Sequence, residues 1–178
     1  VKVKFGSHGF TYTPPTGFKA LSSKNLPVDT PTIIRPKRQF DTILYTGNNA
    51  SGRNITGLEF KPDFVWFKKR SGGGQNHTLF DSVRGAGKRL MLPSTDGEST
   101  ISDELTSFNN DGFTIDTDNF QNENAKNYVA WCWKAGGNSS TYNIDGTGYG
   151  TASAAGLDGG TINPTGASIN TENGFSII

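Results

Sequence analysis

Short runs of β-branched and aromatic residues are the clearest pattern in this chain. Residues 40–46, 64–69 and 127–134 form the strongest runs, and 77–83, 88–92 and 111–115 form weaker ones. Gly, Pro, Asn and Asp separate these runs, which are typical of β-strands. Strands spaced at intervals of roughly ten residues indicate a sandwich or a barrel. The pattern therefore predicts an all-β fold, an antiparallel β-sandwich of the jelly-roll or lectin-like kind, with little or no helix.

The run at 127–134 is apolar on both sides of the strand that it predicts. A strand alternates its side chains between the two faces of a sheet. One face therefore carries Val129, Trp131 and Trp133, and the other carries Tyr128, Ala130 and Cys132. We therefore predict a central strand that is covered on both sides. Trp131 and Trp133 are then expected in the core.

Composition indicates a thin core and many turns. Of 178 residues, 33% are hydrophobic and 11% aromatic, with 23 Gly and 8 Pro. Large rings must supply much of the buried area in such a chain. The single cysteine, Cys132, excludes an intrachain disulfide. No apolar run approaches the roughly 20 residues that span a bilayer, so membrane insertion is not expected.

Five segments differ in composition. Residues 1–21 alternate like strands, and 22–39 carry three prolines and are predicted to be an extended linker. Residues 40–135 hold the predicted sandwich. Residues 136–172 are rich in Gly, Ser, Thr and Asn, and an ordered excursion is favoured over disorder. The last segment, 173–178, resembles 111–115, because both read as a turn residue, Gly, Phe, a hydroxyl residue and Ile. Both ends of the chain are expected to be cut.

No pattern in the sequence predicts catalysis, a metal or a cofactor. A catalytic triad needs a histidine base, and only His8 and His77 are present, without a Gly-x-Ser-x-Gly motif. A calcium site needs six to eight oxygen ligands, usually in a loop of regular spacing, which the acidic residues do not have. A pair of glycosidase carboxylates would meet only in the fold, so the sequence leaves that alternative open.

Basic and aromatic residues are mixed between residues 61 and 89. Stacking on single-stranded nucleic acid is one interpretation. We favour another, in which Lys68, Lys69 and Arg70 end a strand and protect a sheet edge; the net charge of +1 also argues against nucleic acid. Exposed aromatic rings next to Asn-rich loops suit sugar binding. The predicted ligand-binding site consists of Trp66, Arg70, Gln75, Asn76 and His77.

Two resemblances to phage proteins follow from longer motifs. Residues 5–21, FGSHGFTYTPPTGFKAL, resemble the closing strands of a SPRY-like domain. Residues 40–135 resemble an uncharacterised β-rich module of phage fibre and other virion proteins. The motifs are FDTILYTG at 40, FVWFK at 64, LFDSVRG at 79, DGF at 111 and YVAWCWK at 128. In that family a second copy often follows, and 173–178 would be its first strand.

The resemblance implies a structural and adhesive virion component, such as a tail fibre or surface appendage, and no enzymatic activity. Its expected partners are copies of itself, as a homo-oligomer for which a trimer is one form, other virion proteins and a host-surface glycan. It would be assembled in the host cytoplasm and exposed outside the cell on the virion. The alternatives are a capsid decoration protein and a carbohydrate-active depolymerase on a fibre.

Overall fold

The computed structural model describes Thr16, Ile33 and residues 35–178. The predicted SPRY-like segment at 1–21 and most of the predicted linker at 22–39 lie outside the described residues. The linker's last residues contain a short 3-10 helix, Pro36–Arg38.

Thirteen strands form three sheets within residues 35–178. They are β1 Phe40–Thr46, β2 Arg53–Thr56, β3 Phe64–Lys69, β4 His77–Asp81, β5 Lys88–Leu92, β6 Ser99–Thr100, β7 Leu105–Asn109, β8 Gly112–Ile115, β9 Asn127–Trp133, β10 Tyr142–Ile144, β11 Thr147–Tyr149, β12 Ala167–Asn170 and β13 Phe175–Ile177. The first sheet has the order β1-β9-β3-β4-β5-β6, the second β2-β8-β7 and the third β11-β10-β12-β13. All pairs are antiparallel except β10 with β12. The predicted all-β, antiparallel β-sandwich is confirmed.

The core lies between the six-stranded and the three-stranded sheets. Val65 and Phe67 on β3 and Phe80 on β4 point to this side and are completely buried. They meet Phe113 of β8, whose ring centroid lies 5.1 Å from that of Phe67 at a near-perpendicular angle. Edge-to-face packing of this kind suits aromatic rings. We call this side of the six-stranded sheet its inner face.

β9 is an interior strand of the six-stranded sheet, second from its β1 edge. The prediction that it is covered on both sides is correct for the inner face and wrong for much of the outer face, where Trp131 and Trp133 are half-buried. β9 pairs with β1 along Phe40↔Trp133 to Thr46↔Asn127 and with β3 along Phe64↔Trp133 to Lys69↔Tyr128. The prediction that β3 ends at a sheet edge was wrong, because β3 lies between β9 and β4. Lys69 points inward instead, is 9% exposed and forms an ion pair with Glu123.

The three-stranded sheet requires a glycine at position 112, because two backbones approach closely there. A Cβ atom on Gly112 would lie 1.9 Å from the carbonyl oxygen of Ile55, so β2 can pair with β8 only when glycine occupies this position. Both Phe113 and Phe175 follow a glycine at a hairpin, but the two turns differ. Gly112 is the first residue of β8 and pairs with Asn109, whereas Gly174 precedes β13, lies in the turn between Asn170 and Phe175 and has a φ of 68°. The repeated sequence therefore marks two hairpins without giving them the same turn.

Residues 136–172 are ordered and contribute strands β10, β11 and β12. β13 completes this third sheet by pairing with β12. Asp63, which is 1% exposed, connects the sandwich to the segment that precedes β10. Its carboxylate accepts hydrogen bonds from the backbone N–H groups of Ala135 (2.8 Å) and Gly137 (3.2 Å) and from the Ser82 hydroxyl (3.0 Å). Whether 173–178 also begins a following module stays a prediction.

No helix in the described residues is long and apolar enough to cross a membrane.

Candidate functional site on the outer sheet face

The outer face of the six-stranded sheet, opposite the core, carries three rows of side chains that run across the strands. The register defines them. The first row is Leu44, Val129, Lys68, His77 and Leu92; the second is Thr42, Trp131, Trp66, Leu79 and Leu90; the third begins with Phe40, Trp133 and Phe64. Apolar and aromatic residues therefore dominate a face that the three-stranded sheet does not cover.

The third row is partly covered by the third sheet. The ring of Phe175 on β13 stacks on Trp133 at 6.0 Å and meets Phe64 edge-on, also at 6.0 Å. In the first row Leu44 is 60% exposed and Leu92 is 41% exposed, whereas Val129 is only 6% exposed. We call the first and second rows together the open half of the outer face.

Trp66 and His77 form the centre of the open half. The indole Nε1–H of Trp66 donates to Nδ1 of His77 at 2.8 Å, and the rings meet edge-on at 5.6 Å. Because an indole nitrogen can only donate, Nδ1 must be the acceptor, and the neutral imidazole carries its proton on Nε2. Burial, followed by repulsion from Lys68, lowers the pKa of His77 below its ordinary value. His77 is therefore held neutral near pH 7.

Lys68 lies opposite His77, because β3 and β4 pair Phe67 with Thr78. Its ammonium donates to the backbone carbonyl of Gln75 at 2.5 Å, which holds the end of the loop that leads into β4. The carbonyl supplies a partial negative charge only. Within the part of the chain that the structure describes, no carboxylate lies within 4.0 Å of this ammonium.

The structure brings together three of the five residues predicted to bind a ligand and leaves two at the periphery. Trp66 and His77 are in direct contact, and Gln75 joins them through Lys68. The Asn76 amide is drawn toward the neighbouring strand, where it lies 3.2 Å from the Met91 sulfur. Arg70 is exposed at the end of β3, where its backbone N–H bonds to the Asn127 carbonyl at 2.7 Å.

The expectation that Trp131 and Trp133 lie in the core was wrong. Both are half-buried on the outer face, while the alternate residues Ala130 and Cys132 fill the core. Trp131 packs edge-on against Trp66 at 5.8 Å. The apolar character of both faces misled the prediction, since it does not reveal which face receives a second sheet.

Lys68, Trp131 and Leu44 are members of the open half that the predicted site omitted. Their strand register could have identified them, because residues with the parity of Trp66 on β3 must share its face. The sequence does not show which strands pair when they are far apart in the chain. Only the fold places Trp131 beside Trp66.

The most perturbed acid, Glu104, lies in the core. It is 1% exposed, forms an ion pair with Arg89 and accepts a hydrogen bond from Gln121 Nε2 at 2.8 Å. Burial raises its pKa to about 7 and outweighs the opposite effects of Gln121 and Arg89. A carboxyl enclosed in this way has no access to a substrate. Among residues 35–178, no group of three or more His, Cys, Asp or Glu side chains is arranged to hold a metal ion.

Fold and site together describe a β-sandwich domain with an open aromatic face and a C-terminal third sheet. A family described as a domain of unknown function, DUF7483, matches residues 35–178. The chain belongs to this family. No curated protein and no solved structure matches it.

Proposed function

We propose that this chain is a non-catalytic, adhesive and structural module of a phage virion appendage, such as a tail fibre or surface protein. The observation that carries adhesion is the open half of the outer face. There Trp66 and Trp131 lie side by side between the exposed residues Leu44 and Leu92. Exposed apolar patches of this kind are typical of interaction sites. The phage assignment rests on the motif resemblance at residues 40–135.

The distribution of acids favours adhesion over hydrolysis. A glycosidase needs two carboxyl groups on either side of a bound sugar. The acid whose pKa is raised to about 7, Glu104, is enclosed between the sheets. Asp63 is equally buried, and its carboxylate holds backbone N–H groups of residues 135 and 137. These two acids therefore have structural roles, and the open half contributes aromatic rings, the Lys68 ammonium and the neutral His77 imidazole instead.

The same face can serve partners of two kinds. Flat aromatic rings next to hydrogen-bond donors suit the apolar faces of sugar rings on a host surface. At the free edge of the sheet, Phe40 and Leu44 on β1 are 40% and 60% exposed and suit contacts with copies of the chain or with other virion proteins. A homo-oligomer, of which a trimer is one form, would bury these side chains and supplement a thin core.

Binding to surface polysaccharides tests the adhesive proposal. The labelled 178-residue chain is applied to an array of neutral and acidic bacterial polysaccharides. We expect retention on a subset of them, a loss of at least tenfold in Trp66→Ala and a smaller loss in Trp66→Phe, which keeps a ring. Tyr149→Ala, a half-exposed aromatic on β11, is the matched control and should bind normally. Retention on no polysaccharide, or equal losses in Trp66→Ala and Tyr149→Ala, would contradict adhesion through this face.

The location of the chain on particles tests the virion assignment. Gold-labelled antibodies against the chain should bind the tail or fibres of virions produced by cells that encode it. Labelling spread over the capsid would favour a decoration protein instead. Labelling of host cytoplasm alone, with unlabelled particles, would exclude both.

A further inference from the structure

Lys68 has no carboxylate counter-ion among residues 35–178. Arg53, Lys61, Lys126 and Lys134 are also partly buried without one, but of these five cations only Lys68 lies in the open half. Lys69 pairs with Glu123, Arg84 with Asp81 and Arg89 with Glu104. Lys88, on the same outer face, is 3.4 Å from Glu98. Lys68 is half-buried, and its hydrogen-bond acceptor is a neutral carbonyl. A partly desolvated charge without a counter-ion favours an anion that comes from outside.

The open half carries no exposed acid that could oppose such an anion. Its rows consist of apolar residues, Thr42, Lys68 and His77. Asp81 at the end of β4, in the third row, is 2% exposed and paired with Arg84, and Glu98 is 3.4 Å from Lys88. The local charge is therefore positive, although the whole chain has a net charge of only +1.

His77 adds a directional donor beside the ammonium. Its Nδ1 is occupied by the indole of Trp66, so the proton on Nε2 remains for a second partner. Within residues 35–178 no protein group accepts that proton. Two adjacent donors, of which one carries a single positive charge, match the two oxygens and single negative charge of a carboxylate.

We infer that the open half binds a carboxylated sugar, with the carboxylate at Lys68 Nζ and His77 Nε2 and the sugar ring against Trp66. This inference rests on the proposed adhesive function and specifies its ligand. The Trp66 bond to His77 orients the imidazole, so Trp66 contributes both the stacking surface and the geometry of the anion site. Trp131, edge-on to Trp66, forms the adjoining wall.

Titration calorimetry with trigalacturonate and with its fully methyl-esterified form tests the ligand class. The two probes share their sugar rings, and each carboxylate of the first is a neutral methyl ester in the second. We expect trigalacturonate to bind the full chain at least tenfold more tightly than the ester, with an affinity that falls as salt is added. Lys68→Gln should lose at least tenfold for trigalacturonate and little for the ester. Lys88→Gln, a lysine on the same face with its own acid partner, should bind like the wild type.

Each alternative outcome has a distinct meaning. Equal binding of the acid and the ester would overturn the carboxylate site while leaving adhesion through the aromatic face intact. A loss of affinity in Lys88→Gln equal to that in Lys68→Gln would show that trigalacturonate responds to the overall positive charge of the chain, which would overturn a specific site at Lys68. Equally tight binding of a thymidine dodecamer would indicate single-stranded nucleic acid and overturn the sugar assignment. Should neither sugar probe bind, the inference fails, and the polysaccharide array decides separately whether adhesion fails with it.

Discussion

The two faces of β3 and β9 are made of similar residues but have different environments. On the inner face, Val65 and Phe67 are completely buried; on the outer face, their neighbours Phe64 and Trp66 are half-buried. The three-stranded sheet covers the inner face, whereas on the outer face Phe175 packs on Phe64 and Trp133 and leaves Trp66 half-buried. Hydrophobicity alone therefore does not distinguish a core face from an interaction surface. The difference depends on whether another sheet packs against the face.

Neighbouring aromatic residues on β3 give the largest expected contrast. Phe67→Ala should lower the free energy of unfolding by about 3–5 kcal/mol, because it leaves a cavity in a core that has no access to water. Trp66→Ala removes a larger ring but from a half-exposed position, and we expect about 1–2 kcal/mol. Urea denaturation followed by circular dichroism measures both. Losses of equal size would show that the outer face is as much a core as the inner one.

Glu104 provides a pH-dependent contrast, because the inner face buries an acid and the open half does not. Its pKa is about 7 in the folded chain, against an ordinary value of 4.5. As pH rises from 4.5 to 7, the unfolded chain loses this proton while the folded chain keeps it. The free energy of unfolding should therefore fall over this range, by about 3 kcal/mol at most, and level off above it.

Glu104→Gln should remove this part of the pH dependence. Its absolute stability will also drop, because the contacts of the Glu104 carboxyl with Arg89 and Gln121 are altered, so the comparison concerns the slope with pH between 4.5 and 7. Denaturant titrations at several pH values provide that slope. An unchanged slope in Glu104→Gln would assign the pH dependence to another group.

The smallest effect concerns the charge of the open half. Lys68→Gln should raise the pKa of His77 toward its ordinary value, since the repulsion from Lys68 disappears while burial remains. NMR titration of the imidazole measures the shift. Lys88→Gln serves as the control and should leave the pKa of His77 unchanged. A pKa of His77 that is identical in Lys68→Gln and the wild type would contradict the proximity of the two side chains in solution.

Local sequence patterns were sufficient to predict the strands but not the role of each face. The runs at 40–46 and 64–69 correspond to β1 and β3, and the repeat around Phe113 and Phe175 corresponds to two hairpins. These features depend on residues that are close in the chain, such as the glycines and acids of tight turns. The two-residue strand β6, Ser99–Thr100, carries no apolar signal and was not predicted.

The site was predicted in part, because half of it comes from one local segment. Residues 66–77 hold Trp66, Gln75 and His77, which proximity in the sequence already suggested. Trp131 and Leu44 come from β9 and β1, and their places depend on strand pairing over long separations. Lys68 was predicted to protect a sheet edge, and only the position of β3 between β9 and β4 shows otherwise.

The three tryptophans of the chain all lie on the outer face, which permits one direct test of its two halves. The chain is labelled with 5-fluorotryptophan, its three signals are assigned by single replacements with Phe, and trigalacturonate is added while ¹⁹F NMR spectra are recorded. We predict the largest shift for Trp66, a smaller one for Trp131 and almost none for Trp133, which Phe175 covers. If no signal moves, or if Trp133 moves most, the open half is not the binding surface.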